Sequence, residues 1–298
     1  MSSKYPYFHP VLTKSSFSPT LQRYRAWQGI SAAMKGPGKL SDNYIYPLSF
    51  PPGAKWEYGA GIDWAGIMTR RANGNITLEE YFKRNIWEPL GMADSTFHLE
   101  TRPDLRARLT DMAEREGGAD PMYGIPLNPD GKISKTEDRV WPDPIEDDSG
   151  GAGLFSTPKD YQKVLNSITA NDSKLLKKET VDEMFKPQLS EASKASLNQL
   201  LSAPEMCLAT GCPLPVGSEL DWGLGGMICL QAAKYETGAG RSSGSMFWSG
   251  YPNCFWWIDR NVGISGSYFS QVVPPGDQKS ADMFRKFESA IYGRKASL

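Results

Sequence analysis

Hydrophobic positions change their spacing in the last third of the chain. Ahead of that point they recur at helical intervals. Residues 61–74 predict a helix with Ile62, Ala65, Gly66 and Met68 on or near one face, stopped by Asn73-Gly74. A second helix is predicted from Thr77. Thr77-Leu78-Glu79-Glu80 fits a capping box, in which hydroxyl and carboxylate satisfy each other's free backbone N–H groups. Its apolar face is Leu78, Phe82, Ile86 and Leu90, and Pro89 and Gly91 end it. Thr157-Pro158-Lys159-Asp160 opens a further helix with a cap, a first-turn proline and an early acid. Leu176 to Phe185 predicts another. Beyond these, Trp222 to Gln231, Ser245 to Gly250, Cys254 to Asp259 and Ile264 to Val273 are short apolar runs separated by turn residues, the signature of strands. Arg260-Asn261-Val262-Gly263 is a hairpin turn. The chain closes on a helix with Met283, Phe287 and Ile291 spaced four apart, a core-facing stripe.

Helices first, then an antiparallel meander and a terminal helix, predict an α+β protein. Residues 1–220 read as a mostly helical and loop region, and 221–298 as sheet plus C-terminal helix, the two forming one intertwined domain. Residues 1–50 are irregular apart from a short helix over Leu21 to Trp27, and residues 100–150 form a polar excursion with little regular structure.

Composition narrows the classes. With 298 residues and 40% hydrophobic content the chain buries a real core, which excludes global disorder. Lys and Arg number 33 against 34 Asp and Glu, a net charge of −1, so nucleic acid and anionic membrane are not the expected partners. Histidine occurs only at His9 and His98, which argues against a multi-histidine metal site; neither metal nor cofactor is expected. Cys207, Cys212, Cys229 and Cys254 form no CxxC pair and read as reduced thiols of a cytoplasmic protein, with a Cys207–Cys212 loop disulfide as the alternative. The N-terminus has no apolar core of a signal peptide, and no run reaches the length of a membrane span.

Several patterns invite a chemical reading. Gly240-Arg241-Ser242-Ser243-Gly244 matches a nucleophile elbow, which requires a helix after it and a later histidine. A strand-like run follows instead and no histidine does, so it reads as a loop. Ser156-Thr157-Pro158-Lys159 is the only S-x-x-K, but it coincides with a helix cap. Asp147-Asp148 reads as a solvated pair, Arg70-Arg71 as helix surface and His98 as structural. Asp63, at a helix start, either anchors the loop before it or meets free N–H groups. Tyr58-Gly59-Ala60, on a tight turn just before a helix, fixes a phenol in place.

FPPGAKWEYGAGIDWAG, ITLEEYFKRNIWEPLGMADSTF, GGAGLFSTPKDYQKVL, WGLGG and MFWSGYPNCFWWIDRNVGISGSYFSQ follow one another in an order that resembles the β-lactamase-related serine hydrolases of class C and esterase type. Within them the chain is most similar to the fungal lovastatin acyltransferase (transesterase) branch, from about Val11 onward. The resemblance implies a β-lactamase/transpeptidase-like fold, a helical region packed on an antiparallel sheet with a flanking C-terminal helix and the active site between them. That site is built from an S-x-x-K helix, a loop tyrosine and a strand motif ending in glycine. Tyr58 matches the loop tyrosine and Trp248-Ser249-Gly250 the strand motif. By that match the backbone N–H of Tyr251 supplies half of an oxyanion hole. Trp56 and Asp63 join Trp248, Ser249 and Gly250 as expected substrate contacts.

The S-x-x-K element is not found, and Val11 to Phe17 looks like an altered remnant of the stretch that follows it. An N-terminally truncated chain with an incomplete catalytic set is therefore expected. Truncation would leave the 62–72 and 78–90 helices uncovered, which predicts poor solubility or an oligomer. The implied function is acyl transfer to an alcohol or water through a serine acyl-enzyme, the serine not being visible in the chain. The implied partners are a small-molecule acyl acceptor and a donor, including a thioester or carrier-protein-bound acyl group. Two alternatives stand beside it. One is a repurposed scaffold that binds a polyketide-like or aromatic metabolite, lined by Trp56, Trp64, Trp248, Tyr251, Trp256 and Trp257. The other is non-covalent acid/base chemistry at Tyr58. Trp248 replaces the cationic lysine of K-T-G, which argues against penicillin hydrolysis.

Overall fold

The computed structural model describes residues 50–295 apart from 121–123, 138 and 140, and ahead of them Arg23, Tyr24, Trp27, Gly29, Lys39, Leu40, Tyr44, Ile45, Pro47 and Leu48. The Val11–Phe17 stretch and most of the Leu21–Trp27 helix lie outside the described residues.

Helix α1 (Gly61–Ala72) begins and ends where the sequence places it, but its inner face differs. Asp63 and Gly66 are buried, whereas Ile62 and Met68 are 52% and 67% exposed. The reason is a close approach of backbones. A Cβ on Gly66 would lie 3.2 Å from Leu78 Cδ2 and 3.3 Å from the Gly150 backbone, so the contact face is the one with least side chain. Thr77 caps α2 (Leu78–Phe82), its hydroxyl accepting the Glu80 N–H at 3.0 Å. The Glu80 carboxylate pairs with Arg84. The chain continues through a π-helical turn, Lys83–Trp87, into α3 (Glu88–Leu90), and Gly91 ends it with φ 63°. Pro89 thus falls where the π-helical turn passes into α3, inside a continuous helical run that Gly91 alone ends. Leu78, Trp87, Met92 and Phe97 form the core beneath.

The 100–150 excursion is more regular than expected. After α4 (Pro103–Arg106), β1 (Met112–Arg115) and β2 (Ile133–Thr136) pair antiparallel, and β1 also pairs in parallel with β10 (Val272–Val273). The buried Arg115–Asp277 ion pair holds that junction. The Asp147-Asp148 pair is not solvated. Asp148 is buried and accepts the Glu79 N–H at 2.7 Å and faces His98 Nε2 at 2.8 Å; Asp147 pairs with Arg70 at 3.1 Å.

That clamp carries a pH dependence. Burial lowers the His98 pKa, but hydrogen bonding to Glu100 and the Asp148 and Glu100 charges outweigh it, so the net shift is upward. A raised folded-state pKa contributes stability that is full below about pH 6.5 and is lost as pH rises through the folded value. The urea midpoint is therefore expected to fall as pH rises from about 6 into the alkaline range, and His98→Gln should flatten that slope. An unchanged slope in the variant would refute the assignment.

Helix α5 (Pro158–Ala170) follows Thr157, whose hydroxyl accepts the Asp160 N–H at 3.2 Å. Helix α6 (Lys178–Met184) falls within the predicted stretch. Helices α7 (Glu191–Leu201) and α8 (Pro204–Ala209) were not anticipated, although Ser190 caps the first and Pro204 opens the second.

The main sheet has the order β3 (Leu220–Trp222), β4 (Met227–Cys229), β7 (Met246–Gly250), β8 (Cys254–Asp259), β9 (Ile264–Phe269), all neighbours antiparallel. The predicted Trp222–Gln231 strand is two strands broken at Gly223–Gly226. The Ile264–Val273 run breaks near Gln271 (φ 56°), where β10 departs for the smaller sheet. Between β4 and β7, β5 (Lys234–Tyr235) and β6 (Gly238–Ala239) make a small hairpin.

Strand alternation sorts the aromatics. Phe255 and Trp257 meet Phe284 of α9 (Gln278–Lys295) at ring distances of 4.9 and 5.4 Å. The stripe of α9 is displaced from the expected one. Ala281, Phe284, Glu288 and Tyr292 are buried, whereas Met283 and Phe287 are 54% and 39% exposed. Polar pairs set this rotation of roughly 100°: Glu288 binds Arg241, and the Tyr292 hydroxyl donates to Asp259 at 2.8 Å. Gly266, opposite Trp257, lies under its indole, and a Cβ there would overlap the ring. Gly266→Ala is expected to cost about 1–3 kcal/mol in urea unfolding. An unchanged midpoint would show that the ring has room to move.

Candidate active site

Tyr58 lies on the loop that leads into α1, and its ring stacks on Trp248 of β7, with centroids 5.9 Å apart and planes 18° apart. Trp248 meets Trp222 edge-on at 4.7 Å, and Trp222 lies 5.6 Å from Trp56. The loop, β3 and β7 thus build one aromatic row, Tyr58–Trp248–Trp222–Trp56. Glycine makes room alongside: a Cβ on Gly226 would lie 2.8 Å from Met246 Cγ and 2.9 Å from the Trp256 ring. Trp222 was not singled out from the sequence. Its signal was the WGLGG stretch, which carried the resemblance but no assigned role.

The strand motif divides between two faces. Trp248 meets Tyr58, while its neighbour Ser249 points the other way and donates its hydroxyl to the Thr210 carbonyl at 2.8 Å. Gly250 is the exposed end of β7, and Tyr251 begins the turn that pairs Gly250 with Cys254. The Tyr251 N–H therefore belongs to backbone three residues beyond the ring that stacks on Tyr58.

Asp63 is buried one turn into α1. It accepts the Ser149 hydroxyl and the Gly151 N–H, the latter at 3.1 Å. It thus anchors the glycine-rich 149–151 loop against the helix. Burial, and secondly the Asp63 charge, raise the Tyr58 pKa above that of an ordinary phenol. Tyr58 is therefore a neutral proton donor at neutral pH.

The other sequence candidates divide: Trp256 is the cross-strand partner of Trp248 and sits beside the row, whereas Trp257, Ser156 and Ser242 have partners of their own. Trp257 is fully buried in the core under α9, and Trp64 and Trp256 are half-buried. Ser156 Oγ lies 2.8 Å from Ser95 Oγ, while Lys159 is exposed. Ser242 gives its N–H and hydroxyl to Asp259 at 2.7 and 2.6 Å, which fixes the loop before β7.

A family model described as Beta-lactamase matches residues 44–289. The chain belongs to the beta-lactamase family. Among its relatives in this family, the monacolin J acid methylbutanoyltransferase of Aspergillus terreus is 36% identical over 276 residues, 93% of this chain and 63% of that protein. The lovastatin esterase of Penicillium rubens is 33% identical over 293 residues, 95% of this chain and 68% of that protein. A mutant of simvastatin synthase (LovD) from Aspergillus terreus has the same fold, with a TM-score of 0.79 at 36% identity over 97% of this chain and 66% of that one. The chain therefore spans less than two thirds of the length of the first of these relatives. The beta-lactamase/transpeptidase-like fold expected from the motifs is the fold observed. No described helix is long and apolar enough to cross a membrane.

Proposed function

We propose that the protein serves acyl transfer in fungal secondary metabolism, moving an acyl group from a small-molecule donor to an alcohol or to water. The observation that carries this reading is the stacking of Tyr58 on Trp248, which joins the loop tyrosine to the strand that ends in Gly250. The names of the fungal relatives point to the same chemistry. The donor is a thioester, including one on a carrier protein, and the setting is the cytoplasm, in keeping with the free thiols among the described residues.

In the proposed reaction a serine hydroxyl attacks the acyl carbonyl carbon. Charge builds on the carbonyl oxygen, where the Tyr251 N–H receives it. The tetrahedral intermediate collapses, the bond to the leaving group breaks, and Tyr58, a neutral phenol, hands its proton to that group as it takes up the proton of the attacking serine hydroxyl. The acceptor hydroxyl then attacks the acyl-enzyme carbonyl, the bond to the serine oxygen breaks, and the acceptor's proton passes through the same phenol to that oxygen, which restores both groups. Ser156 bonds to Ser95 and Ser242 to Asp259, so neither of the two serines singled out from the sequence is assigned as the nucleophile.

The test is intact-protein mass spectrometry after exposure to a fluorophosphonate and to an acyl thioester, with Tyr58→Phe alongside. A stoichiometric adduct that is lost or slowed in the variant supports the covalent route. A folded protein without an adduct removes it. The aromatic row favours a second reading, a scaffold that binds a flat apolar metabolite without chemistry. Saturable ligand binding by a chain that forms no adduct, weakened by Trp222→Ala, would select that reading.

A further inference from the structure

Helix α8 ends in a turn that sets two cysteines side by side. Gly211 takes φ 66° and donates its N–H to the Leu208 carbonyl at 2.9 Å. Cys212 donates its N–H to the Cys207 carbonyl at 2.9 Å. This is a Schellman closure, which brings together the side chains of the residue two before the helix's last turn position and the second residue past its cap. Here both are cysteine. Both are buried, and neither is in a disulfide.

Two arginines lie nearby, each paired with a carboxylate, Arg285 with Asp282 at 2.7 Å and Arg241 with Glu288. Arg285 donates from Nε to the Pro213 carbonyl at 2.8 Å and its charge reaches Cys207, while the Arg241 charge reaches Cys212. We propose that Cys207 and Cys212 form a redox pair that a peroxide converts into a disulfide closing the turn. The Cys212 side chain, opposed by burial and helped by Arg285, holds the Cys207 thiol below the usual range, so Cys207 is the attacking sulfur. Its thiolate attacks a peroxide oxygen, the O–O bond breaks, and Cys207 becomes a sulfenic acid. The Cys212 sulfur then attacks that sulfur, an S–S bond forms, the S–O bond breaks, and water leaves with the Cys212 proton. Overall, two thiols and one hydrogen peroxide give one disulfide and two waters.

The turn stands directly behind the strand of the candidate active site. The Thr210 carbonyl holds the Ser249 hydroxyl, and Gly211 packs so tightly on Ser249 that a Cβ would overlap it. The redox state of the pair is thus written into the backing of the strand that carries Trp248 and Gly250.

The full chain, reduced with a phosphine and freed of it, is treated with graded hydrogen peroxide and alkylated with N-ethylmaleimide in denaturant. The tryptic peptide running from Ala195 to Lys234 carries Cys207, Cys212 and Cys229, and fragmentation separates them. The expected result is loss of two hydrogens confined to Cys207 and Cys212, with Cys229 and Cys254 still alkylated, all reversed by dithiothreitol. Cys212→Ser should instead leave a sulfenic acid on Cys207 that dimedone traps. Since the wild-type masses decide alone, failure of the variant to fold leaves the test intact. Folded, peroxide-treated wild-type protein with both thiols still alkylated, or with a bond to Cys229 instead, would overturn the proposal.

Discussion

Tyr58→Phe is expected to lower acyl-transfer turnover by roughly 10²–10⁴-fold, the usual contribution of a positioned general acid or base. The substitution removes only the hydroxyl, so the stacking on Trp248 and the loop that enters α1 should persist. Binding of the acyl donor should change little, and the loss should appear in kcat rather than KM. The wild-type rate should also show no tyrosinate limb near neutral pH, because burial and Asp63 keep the phenol protonated. Single-turnover acylation by a thioester reads both quantities. A variant within about threefold of wild type would mean that the proton moves through another group.

Glu288→Ala is expected to destabilise the protein by about 3–5 kcal/mol, because it strands a buried guanidinium. Arg241 and Glu288 are both 0% exposed. Glu288 accepts the Arg241 backbone N–H at 2.9 Å and its Nε at 3.0 Å, with a further bond from Nη2. The Arg241 guanidinium also lies 4.6 Å from the Phe247 ring centre, so the helix, the loop before β7 and the sheet converge on one charge pair. Replacing both residues together, Arg241→Met with Glu288→Leu, should recover most of the loss, since an apolar pair of similar volume carries no desolvation cost. Urea unfolding of wild type, single and double variants tests this. A single variant with a loss below about 1 kcal/mol would indicate that water reaches the site.

What was legible in the sequence follows from the kind of signal each element carries. The caps at Thr77 and Thr157 are local chemistry, and both hydroxyls accept as read, although the Glu80 carboxylate pairs with Arg84 instead of closing the box. Cys254–Asp259 matches because β-branched and aromatic residues between turns have few alternatives. The α9 stripe was misread because spacing alone gives three candidate faces, and buried ion pairs, which look like surface in a sequence, chose among them. The α1 face failed for a related reason: its partner is the glycine backbone at 150, so the inner side is marked by missing side chains. Asp148 looked solvated because its partners, Glu79 and His98, are distant in sequence. At the site, the resemblance assigned Tyr58 and Trp248 to separate elements and the structure stacks their rings, whereas the turning of Ser249 to the opposite face follows from simple strand alternation.

The parallel pairing of Ala113 with Val272 has a consequence for synthesis. On a ribosome moving at about 5–20 residues per second, β1 and β2 are synthesised roughly 7–30 s before β10. During that interval one edge of β1 is open and Arg115 has no Asp277 to meet. The hairpin thus presents an unpaired strand edge and an unpaired arginine until β10 and Asp277 arrive. Its final locking waits for β10, however early the helices ahead of it have formed.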